Sequence, residues 1–136
     1  MRKLIVSTWM SLDEIFDADT MEQWFNRYDS RARQKYIRDG VLASGAILLG
    51  RTTYEMLAPY WSAMQHDEMG IAAKLNSVAK FVVSSTLKQA DWNNSKIIGE
   101  NVVEEIAKLK RQPGKEIQIE GSATLVESLM ETNLID

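Results

Sequence analysis

Short apolar runs alternate with helical patterns along the whole chain, and this alternation limits the possible fold more than any other feature. The runs are short, rich in aliphatic and β-branched residues and bounded by polar or turn-forming residues, which is typical of strands. They are Leu4–Met10, Ala46–Leu49, Lys80–Ser84, Lys96–Ile98 and Glu116–Ile119. Strands that alternate with helices connect in parallel, because each helix returns the chain to the same end of the sheet. The sequence therefore predicts an α/β domain with a mostly parallel central sheet and helices on both of its faces, in three layers.

The helical segments between these strands have recognisable boundaries. They run from Thr20 to about Ser44, from Thr52 to a close at Pro59 and Trp61, over Gly70–Val78, from Asn101 to Pro113-Gly114, and onward from Gly121-Ser122. The first of these is mostly helical in character, and within it Asp29 or Ser30 could cap a segment that carries Ala32, Tyr36, Ile37 and Val41 on one face. Asn101 and Glu104 have the spacing of a capping box. The residues of the last helix that we expect to face the core are Leu125, Val126, Leu129 and Met130.

Composition excludes several classes of protein. The chain has 136 residues, 45% of them hydrophobic, which is enough for one domain with a real core. Its net charge of −3 and the lack of a dense basic run argue against nucleic-acid binding. No cysteine and one histidine predict no metal site and no disulfide. The apolar run at the start ends by Ser7-Thr8, too short for a signal peptide or membrane span, so we expect a cytoplasmic protein.

Small and hydroxylic residues follow three of the predicted strands. They are Gly50, Arg51, Thr52 and Thr53 after the second, Ser84, Ser85 and Thr86 after the third, and Gly121, Ser122, Ala123 and Thr124 after the fifth. The first and last groups open helices, whose N-terminal amides favour a phosphate, and the carboxyl ends of parallel strands meet at one edge. Glycine and threonine there are also ordinary turn and capping residues. Each group is therefore explained equally well by a phosphate site and by plain turn and capping chemistry. The chain has no Gly-x-Gly-x-x-Gly and no Walker motif, which argues against a Rossmann dinucleotide site.

These same segments carry a resemblance to a known family. Leu48–Glu55, Leu-Leu-Gly-Arg-Thr-Thr-Tyr-Glu, is similar to the strand-to-helix segment of dihydrofolate reductases and of the reductase domain of the riboflavin-pathway deaminase/reductase. Phe81–Ser85 resembles the next strand of that family, and Glu116–Leu125 resembles its glycine-rich turn. Ser11-Leu12-Asp13 and Leu134-Ile135-Asp136 match the riboflavin-type branch. The matches keep their order along the chain, so we expect one dihydrofolate reductase-like domain over residues 1–136.

The resemblance implies NADPH as cofactor and a role for each matched residue. Gly50, Arg51, Thr52 and Thr53 would contact the pyrophosphate and the adenosine-side phosphate, and Ser84 and Ser85 the 2′-phosphate. The residues that would hold the pyrophosphate from the other side are Gly121, Ser122, Ala123, Thr124 and Leu125. Trp9, Leu12 and Asp13 would lie near the nicotinamide and the substrate ring. The implied activity is hydride transfer to a pterin-like or aminopyrimidine ring, as in 5-amino-6-(5-phosphoribosylamino)uracil reductase or dihydrofolate reductase.

Reduction of a ring C=N bond also needs a proton, commonly from a carboxylic acid or through water. Asp13 is the candidate for this catalytic role, and a plain turn or capping carboxylate is the alternative for the same residue. Aromatic residues at helical spacing, such as Trp24 and Tyr28, are expected in the core before they are expected in a pocket.

The sequence departs from the family pattern at three places. Ser122 stands where the family has the second of two paired glycines, and Glu14 stands where the riboflavin-type branch has glycine after Ser-Leu-Asp. Family members continue beyond the closing Leu134-Ile135-Asp136 with further strands, so we expect a sheet that lacks them and an edge that a second subunit covers. A homodimer acting on a small-molecule substrate is the first expectation. The alternative is a shortened, non-catalytic nucleotide-binding or assembly protein on the same fold.

Overall fold

A parallel sheet forms the centre of the structure. The computed structural model describes residues 1–17, 19–64, 66–67 and 70–136, and in these residues five strands form one sheet in which every pairing is parallel. The strands are β1 (Leu4–Ser7), β2 (Ala46–Gly50), β3 (Ala79–Val83), β4 (Ser95–Ile98) and β5 (Ile117–Glu120). They are ordered β1-β5-β2-β3-β4 across the sheet. The predicted α/β fold class is confirmed, with a sheet that is parallel throughout.

Helices connect these strands and cover both faces of the sheet. They are α1 (Met21–Trp24), α2 (Arg31–Ala43), α3 (Arg51–Ser62), α4 (Ala72–Ser77), α5 (Val102–Arg111) and α6 (Ala123–Met130). The mostly helical segment predicted from Thr20 to about Ser44 consists of two helices, and of the two predicted caps, Asp29 and Ser30, it is Ser30 that precedes α2. A 3₁₀ turn follows α1, and the backbone of Asp29 and Ser30 is extended before α2 begins. Ser30 caps α2, because its hydroxyl accepts a hydrogen bond from the Arg33 N–H at 3.2 Å.

The two faces of the sheet carry separate hydrophobic clusters. Helices α2, α3 and α4 pack on one face, against Ile47 and Leu49 of β2. Helices α5 and α6 pack on the other face, against Ala46 and Leu48 of the same strand. Because successive side chains of a strand point to opposite faces, β2 is buried on both sides, and this explains its unbroken apolar sequence.

Three details of the predicted helices are wrong for local reasons. Met130 is 69% exposed, because α6 turns Leu125 and Leu129 toward the sheet and Met130 away from it. Asn101 precedes α5 in a left-handed conformation with no side-chain cap, so the capping box does not form; a capping side chain needs an extended backbone. Helix α3 continues through Pro59, which therefore does not help to close it, and the helix ends at Ser62, one residue after the predicted Trp61.

The order of the strands creates a crevice at one edge of the sheet. Strands β2 and β5 are neighbours, yet the chain leaves β2 into α3 on one face and leaves β5 into α6 on the other. Diverging connections at the carboxyl ends of adjacent parallel strands open a crevice between them, where ligands of such sheets bind. The fold therefore places the turn after Gly50 opposite the turn after Glu120.

Candidate functional site

A cavity of about 660 Å³, here called the β2–β5 cleft, lies between the ends of these two strands. The turn after β2 and the turn after β5 form two of its walls. The loop that follows β1 supplies a third wall with Trp9, Phe16 and Asp17. The remaining lining residues are Met21, Gly50, Arg51, Thr52, Thr53, Met56, Leu57, Val83, Glu120, Gly121, Ser122, Ala123, Thr124, Leu125 and Ser128. The structure therefore brings together the predicted residues of the first and last glycine-containing turns.

The two turns are tied to each other by one side chain. The Gly50 N–H donates a hydrogen bond to Ser122 Oγ at 2.8 Å, and Ser122 Oγ lies 3.0 Å from Thr53 Oγ1. A Cβ atom on Gly50 would lie 3.3 Å from Ser122 Oγ, so the close approach of the turns favours glycine at this position. Ser122 thus fixes the distance between the starts of α3 and α6.

The turn after β5 has an unusual backbone. Gly121 has a φ of +55° and Ser122 a φ of +60°, so two consecutive residues are left-handed. Glycine adopts this conformation freely, whereas another residue loses about 1 kcal/mol there. Ser122 therefore keeps the backbone conformation that the family's second glycine would favour, and its hydroxyl joins the two turns.

Both helices that begin at the cleft present uncapped N-termini to it. Among the described residues no side chain caps α3 at Gly50 or α6 at Ser122. The first amide groups of a helix have no partner within the helix, and together with the helix dipole they attract anions. The cleft thus has two separate helix N-termini facing one volume, which suits a ligand with linked phosphates.

Arg51 adds a cation at the outer part of the cleft. Its Nε donates to Glu55 Oε1 at 2.9 Å, and its Nη1 donates to Thr86 Oγ1 at 2.8 Å. The guanidinium is half-exposed and therefore accessible to a ligand. Arg51 links the turn after β2 to the turn after β3.

The serines after β3 lie outside the lining of the β2–β5 cleft. Ser84 is buried, and its hydroxyl accepts hydrogen bonds from the Thr86 N–H at 3.2 Å and the Leu87 N–H at 3.0 Å. Ser85 is exposed on the same turn. The side chain of this turn that contacts a cleft residue is Thr86, through Arg51.

The three residues predicted near the substrate are separated in the structure. Trp9 lines the cleft, with its ring centroid 5.0 Å from that of Phe25 and 6.2 Å from that of Tyr36. Leu12 is fully exposed, and Asp13 is exposed and outside the cleft lining. Of these three residues, the structure places Trp9 at the site.

Glu120 is a site residue that sequence reasoning missed. It ends β5 on the face toward α2, opposite to the core-facing Ile117 and Ile119, and burial raises its pKa to about 7. Glu120 also lines a second cavity of about 250 Å³ between β1, β5 and α2, here called the β1–β5 cavity. The sequence pattern that could have predicted Glu120 is an acidic residue at the end of a strand with alternating apolar residues, directly before a glycine turn.

Trp9 and Glu120 are shared by the two cavities. An aromatic ring and a carboxyl with a raised pKa therefore stand where the larger cleft meets the smaller cavity. A perturbed carboxyl at the meeting point of two cavities has the setting of a group that exchanges protons with a ligand.

None of the helices in the described residues is long and apolar enough to cross a membrane.

The chain matches known proteins along most of its length. The model of the RibD C-terminal domain family matches residues 2–136. A curated relative, the uncharacterized protein YyaP of Bacillus subtilis (strain 168), is 32% identical over 92 residues, which cover 66% of this chain and 48% of the relative. The matched region thus spans about half of that relative.

Proposed function

The chain belongs to the RibD C-terminal domain family, and on this premise we propose that it is an NADPH-dependent reductase that transfers a hydride to a pterin-like or aminopyrimidine ring. The family is that of the reductase domain of RibD, from riboflavin biosynthesis, and the structure has the three-layer architecture of dihydrofolate reductase-like domains. The proposal places the cofactor in the β2–β5 cleft and the ring to be reduced beside Trp9 and Glu120.

The observation that carries the proposal is the pair of uncapped helix N-termini on opposite walls of one cleft. The amides at the start of α3 and those at the start of α6 suit the two phosphates of a dinucleotide pyrophosphate. Gly50 and Gly121 carry no side chain that would keep a phosphate away from the backbone. The residues present therefore fit the phosphate part of the proposed cofactor.

The walls of the cleft fit the rest of a dinucleotide. Phe16, Met21, Met56 and Leu57 give apolar surface for flat rings, and the volume of about 660 Å³ lies within the range of cofactor pockets, roughly 300–1,000 Å³. We assign the 2′-phosphate to Arg51, whose guanidinium is accessible at the outer end, with Thr86 beside it. This assignment favours NADPH over NADH.

NADPH would supply the hydride, and the chain's own residues would position the ring and provide the proton. Trp9 offers an aromatic face at the meeting point of the cavities. Burial raises the pKa of Glu120 to about 7, so a large fraction of the carboxyl is protonated near neutral pH and can release its proton to a ring nitrogen. We therefore propose Glu120 as the proton donor in place of Asp13, which is exposed and outside both cavities.

Titration with NADPH and with NADH tests the cofactor assignment. Trp9 lines the cleft, so saturable quenching of tryptophan fluorescence by NADPH, and much weaker quenching by NADH, is expected. No response to either nucleotide would remove the cofactor from the proposal. Loss of NADPH absorbance on adding dihydrofolate or the riboflavin-pathway aminopyrimidine then tests turnover. NADPH binding without turnover on either ring would favour the non-catalytic alternative.

Arg51→Ala is expected to weaken NADPH binding about tenfold or more while NADH binding changes little, because a charge-assisted contact to a phosphate is lost. The matched control is Arg111→Ala, which removes an exposed arginine of α5 that does not line the cleft. Equal NADPH affinity of the Arg51 variant and the wild type would take Arg51 out of the site.

A further inference from the structure

We propose that the β1–β5 cavity selects an uncharged or cationic, amino-bearing planar ring and rejects substrates that carry a phosphate. The inference rests on the proposed function, because it names the substrate class of the same reductase site. It departs from the phosphoribosyl substrate that membership of the riboflavin-type branch suggests.

The wall of the β1–β5 cavity is acidic. Its ionisable lining residues are Asp39, Glu116 and Glu120, with the phenol of Tyr36, and the described lining includes no lysine, arginine or histidine. Asp39 forms an ion pair with Lys35, one turn earlier on α2, so that lysine is already engaged by a carboxylate. A phosphate bound here would face the carboxylates of Asp39 and Glu116 without a cation among the described lining residues.

The three acidic residues differ in their exposure to solvent. Asp39 and Glu116 are exposed, so they stand at the rim, whereas Glu120 is partly buried where the cavity meets the cleft. Both exposed carboxylates flank the solvent-facing side of the cavity, so a ring substituent on that side would pass them. An anionic substituent is therefore repelled at the rim even when the ring itself fits.

The polar groups and the size of the β1–β5 cavity suit a small amino-bearing ring. Ser7, Gln118 and Glu120 present a hydroxyl, an amide and a carboxyl along one wall, and the oxygens of all three groups accept hydrogen bonds from amino groups and ring N–H groups. Trp9 and Tyr36 supply aromatic surface for a flat ring. A volume of about 250 Å³ is just below the usual range of small-molecule sites, roughly 300 Å³ and above, which suits one ring or two fused rings.

A matched ligand pair tests the proposal. An aminopyrimidine riboside and its 5′-phosphate are titrated into the full chain by calorimetry, both with saturating NADP⁺ and without it. The riboside is expected to bind at least about tenfold more tightly than its 5′-phosphate. Equal or tighter binding of the phosphate would overturn the proposal, as would failure of both ligands to bind a chain that binds NADP⁺.

Cofactor binding and the choice of substrate are tested independently by these titrations. Binding of the riboside, with the expected preference, by a chain that does not bind NADPH or NADP⁺ would support this substrate class and overturn the proposed cofactor. Normal NADPH binding together with a preference for the 5′-phosphate would support the proposed cofactor and overturn this substrate class.

A charge-reversal variant tests the cause of the preference. Glu116→Lys places a cation at the rim and is expected to reduce the preference for the riboside about tenfold, by improving binding of the 5′-phosphate alone. Glu127→Lys is the matched control, because it makes the same change of charge at an exposed position of α6 outside both cavities. An unchanged preference in Glu116→Lys, or the same change in Glu127→Lys, would contradict an effect of the cavity wall.

Discussion

At the scale of single residues, three consecutive positions at the end of β5 have an unusual pKa or an unusual backbone conformation. Glu120 is a carboxyl whose pKa is raised by burial, and Gly121 and Ser122 are both left-handed. Such perturbed groups and sparsely populated backbone conformations cluster at functional sites, where the surrounding structure holds them in place. Here the surrounding structure is the turn after β2, which contacts Ser122 through Gly50 and Thr53.

Glu120→Gln is expected to change how stability depends on pH. The pKa of Glu120 rises from an ordinary 4.5 to about 7 on folding, so the unfolded chain releases the proton first. The neutral form of Glu120 therefore makes its full contribution to the free energy of unfolding below about pH 4.5. This contribution is lost as the pH rises through about 7, a loss on the order of 1–3 kcal/mol. Urea unfolding across this range should show a smaller fall in the variant, and an identical fall would contradict the assignment.

Substitutions of Ser122 distinguish the effect of its backbone conformation on stability from the effect of its hydroxyl. Ser122→Ala keeps the left-handed strain and loses the hydrogen bond to the Gly50 N–H, so it is expected to lower the free energy of unfolding by about 1–2 kcal/mol. Ser122→Gly loses the same bond but relieves the strain, so it should cost roughly 1 kcal/mol less than the alanine variant. Denaturant unfolding measures both values. An alanine variant as stable as the glycine variant would mean that the strain is absent.

At the scale of elements, the cleft depends on where α3 and α6 begin rather than on their full length. Each helix packs on a different face of the sheet, and each starts directly after one of two neighbouring strands. The packing of α6 is carried by residues one turn apart, Leu125 and Leu129, while Met130 faces away. Anchoring α6 to the sheet therefore also fixes the amides at its start.

Leu129→Ala and Met130→Ala are expected to differ strongly in their effect on stability, although the two residues are adjacent in the sequence. Leu129 is 1% exposed, so its truncation leaves a cavity and should lower the free energy of unfolding by about 2–4 kcal/mol. Met130 is 69% exposed, and its truncation should change stability by less than about 0.5 kcal/mol. Chemical denaturation of both variants measures the difference, and similar losses would contradict this orientation of α6.

At the scale of the whole molecule, the strand order puts β1 and β4 at the two edges of the sheet. The closing residues lie against β1. The Leu4 N–H donates to Asp136 Oδ2 at 2.8 Å, and the Asp136 N–H donates to the Leu4 carbonyl at 3.1 Å. Asp136 also forms an ion pair with Lys110 of α5, which lowers the pKa of that carboxyl. These contacts join an edge strand, a helix and the closing residues.

A homodimer remains a prediction at this scale. Exposed strand edges of a sheet are surfaces on which chains pair, and we expect a second copy to cover one of them. Sedimentation equilibrium is expected to return about twice the chain mass of 15.5 kDa. A stable monomer across the concentration range would contradict the prediction.

The fold follows from the sequence to a large extent because its signals are local. The alternation of apolar runs and helical patterns predicts parallel strands, and the unbroken apolar sequence of β2 predicts burial on both faces. Glycine followed by hydroxyl residues predicts a turn into a helix after Gly50 and after Gly121. The orientation of Met130 could not be predicted, because periodicity defines a face only within about one residue per turn.

Only the tertiary structure decided which of these turns act together. The insertion of β5 between β1 and β2 is a long-range pairing that no local pattern encodes. That pairing brings Ser122 to Gly50, and it buries Glu120 beside Trp9, which raises the pKa of the carboxyl. The sequence by itself determined the strands, their direction and the helix starts, because these depend on neighbours along the chain. The cleft and its carboxyl depend on neighbours in space, and packing alone decided them.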